Sequence, residues 1–235
     1  VTPDAVTWTT GIAAGPDTRL AAMLAAAPMP LRGNEMVRFL RDDAMMNATG
    51  VMNPDALEFA SLTMLDMAVA SDFIAADDAL AGRLKSLCET WADATGSEYA
   101  MSMYPMDGPL PFRADYVYRL HDTAACNALL DAAARLMNET SMQDMYAALG
   151  ITVKTTMQRG AQTYGNTPID TFDVAIAAPG DTPDAGIINA MYGDGFQGRS
   201  AIVDDLLVYC VGVDVDTGIR EMIDTARAGK APAGT

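Results

Sequence analysis

From Phe112 to Leu120 the chain alternates, with Phe112, Ala114, Tyr116, Tyr118 and Leu120 on one side and Arg113, Asp115 and Arg119 on the other. A period of two marks a strand with one buried face. Thr167 to Ala177 repeats the pattern, setting Phe172, Val174 and Ile176 against Thr171 and Asp173. Ser97 to Tyr104, Ile151 to Met157, Gln197 to Val203 and Leu206 to Val213 read as further strands. Asp204-Asp205 is the whole connection between the last two, which predicts a hairpin. Gly160 to Asn166 is expected to turn the chain between two others.

Elsewhere the period lengthens to that of a helix. Cys126, Leu129, Leu130, Ala133 and Met137 recur at helical spacing behind Asp122, a good N-cap. Met142, Met145, Tyr146 and Leu149 predict a short helix that Gly150 ends. Asp184 to Tyr192 predicts another. Ile219, Met222, Ile223 and Ala226 form the apolar stripe of a last one, from about Thr217 to Ala228. The first 96 residues read as mainly helical: Thr18 to Ala27, Asn34 to Met46, and Pro54 to Thr95 with a break near Ser71-Asp72 or Asp77-Asp78. One strand is expected within Thr2 to Ala13.

These elements predict an α+β fold, a mainly antiparallel sheet with helices on one face. Frequent hairpins argue against a doubly wound parallel sheet. The chain divides into a helical part, 1–96, a sheet-and-helix part, 97–229, and a flexible tail, 230–235. Asp-Thr recurs ahead of helical segments at Asp17-Thr18, Asp122-Thr123, Asp181-Thr182 and Asp216-Thr217. Val117-Tyr118-Arg119-Leu120 also aligns with Val208-Tyr209-Cys210-Val211. A duplicated strand–hairpin–helix unit would explain both, and so would the general preference for Asp at helix starts.

Residues 97–229, above all Leu206 to Gly229 with the Asp205–Tyr209 strand feeding an acidic helix cap, resemble a class of secreted bacterial proteins of unknown function. Those proteins are built from repeated β-hairpin and helix modules. The resemblance implies export, to the periplasm or the outside of a bacterial cell, and carries no functional residues.

Composition narrows the partners. The chain has 235 residues, 50% hydrophobic and 20% charged, which is globular rather than disordered. Asp and Glu number 31 against 15 Lys and Arg, a net charge of −16. Such a surface repels phosphate backbones, so nucleic acid is not an expected partner, and it disfavours anionic lipid. No apolar run approaches the roughly 20 residues of a membrane span. The chain begins at Val1, which suggests a removed leading segment, and no charged-then-apolar leader stands in the first thirty residues.

Motifs for known chemistry are few. The nucleophile elbow, the phosphate-binding loop and the dinucleotide fingerprint are missing from the sequence. His121 is the one histidine. Cys88, Cys126 and Cys210 form no CxxC and read as small core residues, with a Cys88–Cys126 disulfide as the alternative. Methionine is abundant, at 17. Met101, Met103 and Met106 place three thioethers within six residues, and His121 follows the next strand. Thioethers select Cu(I); methionine also fills cores in place of leucine.

The expected function is therefore that of a non-enzymatic exported domain, without cofactor, acting through contacts with another protein or with itself. The first alternative is a Cu(I)-binding protein using Met101, Met103, Met106 and His121. The second is a hydrolase with a carboxylate pair that the sequence does not single out among 31 acids.

Overall fold

A computed structural model of the chain describes residues 35–51, 54–70, 78–106, 112–137, 139–148, 151–178, 180, 185–186 and 195–229. All belong to one compact unit, 31–235. The helices predicted at 18–27 and 184–192, the strand within 2–13, the tail 230–235 and two of the four Asp-Thr pairs lie wholly or largely outside the described residues.

Among the described residues seven strands form one antiparallel sheet: β1 (Met46–Val51), β2 (Thr95–Pro105), β3 (Phe112–Leu120), β4 (Thr152–Tyr164), β5 (Thr167–Ala177), β6 (Phe196–Val203) and β7 (Leu206–Gly212). Their order is β1-β2-β3-β7-β6-β5-β4. Among the described residues five helices accompany it: α1 (Pro54–Ala70), α2 (Asp78–Ala94), α3 (Thr123–Met137), α4 (Thr140–Ala148) and α5 (Val215–Ala228), with a short 3-10 helix at Glu35–Phe39. The α+β class and the antiparallel sheet are as the sequence predicts.

Local chemistry explains the joints. The Asp122 carboxylate accepts from the backbone N–H of Ala124 and Ala125, at 2.8 and 2.9 Å, and so caps α3. Gly165 and Asn166 both have positive φ, 51° and 68°, which suits a two-residue hairpin loop between β4 and β5. The turn expected across 160–166 is confined to that pair. Gly160, at φ 58°, sits instead where the β4–β5 register shifts between Gln158 and Gln162, so β4 bulges there and runs on to Tyr164.

The helix expected over Asn34 to Met46 is reduced to the 3-10 helix and a turn, and Met46 opens edge strand β1, which pairs with β2 from Met46↔Met103 to Val51↔Glu98. The sheet thus draws on the helical part of the chain, and the division at 96/97 does not separate two bodies. Pairing with a neighbour, rather than its own alternation, makes β1 a strand.

The helices cover both faces of the sheet, not one. Val117, Ala201, Val208 and Cys210 point to the same side and pack against Val215, Ile219, Met222 and Ile223 of α5. Their sequence neighbours Tyr118, Ile202 and Leu207 point the other way and meet Trp91 of α2 and Ala125, Cys126 and Leu130 of α3. Behind these, α1 to α4 share a second layer around Leu80, Leu136 and Met142. The cause is visible in β7: Leu206-Leu207-Val208-Tyr209-Cys210-Val211 has no polar alternate, so both its faces need cover. Arg113 and Asp115, expected on a solvent face of β3, are likewise buried, at 7% and 6% exposure, with Arg113 Nη2 donating to Asp115 Oδ2 at 3.3 Å.

This arrangement argues against the duplicated unit. The aligned strands β3 and β7 are direct neighbours with Val117 opposite Val208. A twofold axis relating them would send both following helices to the same face, and α3 and α5 go to opposite faces. The caps differ as well. Asp122 caps α3 itself, whereas Asp214, not Asp216, stands at the N-cap of α5, and Asp216 holds Arg199 of β6 at 2.8 Å.

Candidate functional site

Alternation along each strand brings one side chain in two to the face beneath α2 and α3. Cross-strand register then lines them up. Tyr118 is opposite Leu207, Tyr116 opposite Tyr209, Tyr209 opposite Ser200, and Val211 opposite Gly198, which in turn faces Phe172. Helix α3 supplies Leu130 and Met137 to the opposing wall and α2 supplies Trp91. Between the two layers is a cleft of about 450 Å3, lined chiefly by apolar surface. That volume lies in the range of small-molecule sites, roughly 300–1,000 Å3.

Its floor is a continuous run of aromatic rings. Trp91 meets Tyr118 edge-on at 5.2 Å, Tyr118 stacks with Tyr116 at 6.4 Å, Tyr116 tilts against Tyr209 at 5.8 Å, and Tyr209 stacks on Phe172 at 5.4 Å. These separations are those of favourable ring pairs. Phe172 lies flat because residue 198 is glycine: a Cβ there would fall 1.7 Å from the ring. At one side Arg159 of β4 fastens the start of α3. Its Nη2 donates to Asn127 Oδ1 at 2.8 Å, and its Nε lies 3.1 Å from Asp170 Oδ2.

Apart from the Trp91 indole N–H, the polar side-chain groups of the described lining are hydroxyls. Tyr116, Tyr118, Tyr209, Ser200 and Thr155 line it, and among the described lining residues none is Asp, Glu, Lys, Arg or His. Burial, then the neighbouring Tyr116 and Tyr118, raise the Tyr209 phenol above its ordinary value. Burial, then Tyr116 and Tyr99, do the same for Tyr118. Both stay protonated at neutral pH and offer O–H donors.

The opposite face carries a different cluster. The Cys210 thiol donates to Asp115 Oδ1 at 2.9 Å, Arg113 pairs with Asp115, and the Arg113 guanidinium lies 4.5 Å from the Tyr104 ring centre. Burial raises the Asp115 carboxyl, against the pull of Cys210 and Arg113. Burial and the Asp115 charge together push the Cys210 thiol far up. A nucleophilic cysteine requires the reverse shift, so this thiol serves as a hydrogen-bond donor within the core.

The four residues singled out as metal ligands are not brought together. Met101 and Met103 share the face of Tyr116, opposite Tyr116 and Ala114 on β3, without lining the cleft. Met106 lies past the end of β2, in a polar pocket of about 290 Å3 with Arg41, Tyr104, Arg113, Asp214 and Glu221. His121 is exposed beyond the other end of β3, its backbone N–H donating to the Ala94 carbonyl at 2.9 Å. The length of β3 alone separates those two ends, roughly 26 Å at a strand's rise per residue. All three cysteines are free thiols, with no Cys88–Cys126 disulfide.

The sequence reading missed the cleft. Its one available signal was the aromatic content of alternate positions in β3, β5 and β7, which becomes a site only when the register is known. No protein-family model, curated protein or solved structure matches the chain. Among the described residues, no helix is long and apolar enough to cross a membrane.

Proposed function

We propose that this chain is a binding module, not an enzyme, and that it holds a neutral, largely apolar small molecule in the cleft between α3 and the sheet. The run of five aromatic rings along the floor carries this reading. Flat rings offer large dispersion contact at little cost in side-chain entropy. A charged ligand is disfavoured, because it would shed water with no counter-charge among the described lining residues. Among the described residues, the cleft is lined by no carboxylate, imidazole, amine or thiol, which supports binding over proton-transfer chemistry.

The test is titration with N-phenyl-1-naphthylamine, a neutral dye that brightens in apolar surroundings. Saturable binding at one site per chain is expected, with loss in Met137→Trp, which fills the cleft from the α3 side. Non-saturable binding, or binding indifferent to Met137→Trp, would count against it.

A second reading, contact with another protein or a second copy, rests on α1. Met64 and Met67 stand there three residues apart, at 67% and 59% exposure. Sedimentation should show concentration-dependent association that Met64→Lys with Met67→Lys removes. A wild-type chain that stays monomeric at high concentration would set self-association aside.

A further inference from the structure

Tyr116, Tyr118 and Tyr209 form one group of neighbouring phenols. The rings sit on one face of neighbouring strands β3 and β7, with Tyr116 directly opposite Tyr209 and Tyr118 two residues along. Ring centres are 5.8 Å apart across the strands and 6.4 Å apart along β3. All three residues line the cleft. Among the described residues, none of the three hydroxyls has a hydrogen-bond partner on the protein. Part-buried donors of this kind need an acceptor, from water or from a ligand.

Resting on the binding reading above, we infer that the ligand is a neutral, flat carbonyl compound. Its ring body lies along the aromatic floor, and its carbonyl oxygen accepts from the Tyr116, Tyr118 and Tyr209 group of phenols. Two considerations select this class. The cluster offers phenolic donors and no cation, which fits a neutral acceptor better than a carboxylate or phosphate. Most of the remaining wall, with Leu130, Met137, Phe172 and Val211, is apolar and suits the body of a ring system.

Fluorene and 9-fluorenone test it, because they share one flat tricyclic skeleton and differ by a carbonyl oxygen. Each is titrated into the full chain carrying Trp8→Phe, so that Trp91 in the cleft is the remaining tryptophan and reports occupancy. Fluorenone should bind about tenfold more tightly than fluorene, a difference of about 1.4 kcal/mol. Hydrophobicity alone predicts the opposite order. In the combined Tyr116→Phe, Tyr118→Phe, Tyr209→Phe variant the ratio of the two affinities should fall to one or below. A circular dichroism spectrum matching the wild type shows that the variant is folded. Equal binding of the two compounds to the wild-type chain, or a preference that survives the three substitutions, would overturn the carbonyl assignment and leave the binding module standing. Failure of both compounds to bind would overturn the module and the carbonyl assignment together.

Discussion

The two faces of the central strands have opposite characters, although they are built from adjacent residues. Under α5, Val117, Val208 and Cys210 meet Ile219 and Ile223 with all five side chains fully buried. On the other side, Tyr116, Tyr118 and Tyr209 are only partly covered, and a cleft separates them from α3. The closed face uses branched aliphatic residues that interdigitate. The open face uses large rings that stack on one another and leave a gap. A β-branched side chain packs by fitting between neighbours, whereas a ring presents a flat surface that a second flat object can match. The closed face accordingly carries stability, and the open face leaves ring surface uncovered.

That comparison breaks first at its strongest point. Ile223→Ala empties a fully buried position on α5 and should cost about 2–5 kcal/mol in urea denaturation. Leu130→Ala, on the cleft wall, should cost less than half as much, because its side chain already borders open space. Equal losses would mean that the cleft wall is as tightly packed as the α5 face.

One thiol from each side sharpens the contrast with pH. Cys126 of α3 is buried, which pushes its thiol up to about 11, from 9.0 when unfolded. The folded state therefore holds this proton where the unfolded chain has lost it. Its stabilising contribution is whole below pH 9 and fades as pH climbs from 9 to 11. The stability of the wild type should fall across that window by an extra amount, of the order of 2 kcal/mol, which Cys126→Ala lacks. Cys210, on the closed face, is raised further, by burial and by Asp115, so its loss comes at higher pH. A Cys126→Ala variant with an unchanged slope between pH 9 and 11 would contradict the burial of that thiol.

Gly198 links ring geometry to the open face. Gly198→Ala forces the Phe172 ring off its seat. A ring bordering a cleft has room to swing, so the cost should be about 1 kcal/mol, near the lower end for overpacking. Dye affinity should fall more than stability does, and a variant that binds the dye as the wild type does would remove Phe172 from the site.

The sequence shows its strands more clearly than their consequences. Phe112–Leu120 and Thr167–Ala177 match β3 and β5 at both ends, because alternation and flanking turn residues act within a few positions. The Asp204-Asp205 hairpin is equally local. Edge strand β1 was hidden, since Met46-Asn47-Ala48-Thr49-Gly50-Val51 lacks a pattern and owes its form to β2. The burial of Arg113 and Asp115 was hidden too, because charge alone marks a residue as exposed until its partner is known. The cleft was the least legible feature. Trp91, Tyr116, Phe172 and Tyr209 come from four elements, and only the register between distant strands sets them side by side.

The hairpin itself belongs to neither face and should give the smallest effect. Asp204 and Asp205 are exposed at the tip, beyond the last pair Val203↔Leu206. The Asp205 carboxylate takes one hydrogen bond from Arg119, at 2.6 Å, an exposed contact of the kind that contributes little. Asp204 has φ 57°, a conformation that glycine adopts without strain and that Asp tolerates better than Ala. Asp204→Gly should therefore be close to neutral, and Asp204→Ala should cost under about 1 kcal/mol, through the backbone rather than through packing. Neither change should alter dye binding, because the tip lies outside both the cleft and the α5 core. A loss of several kcal/mol from Asp204→Gly would show that the turn is tied to one of the two faces, and the division between a packed face and a binding face would then have to include the loop that joins β6 to β7.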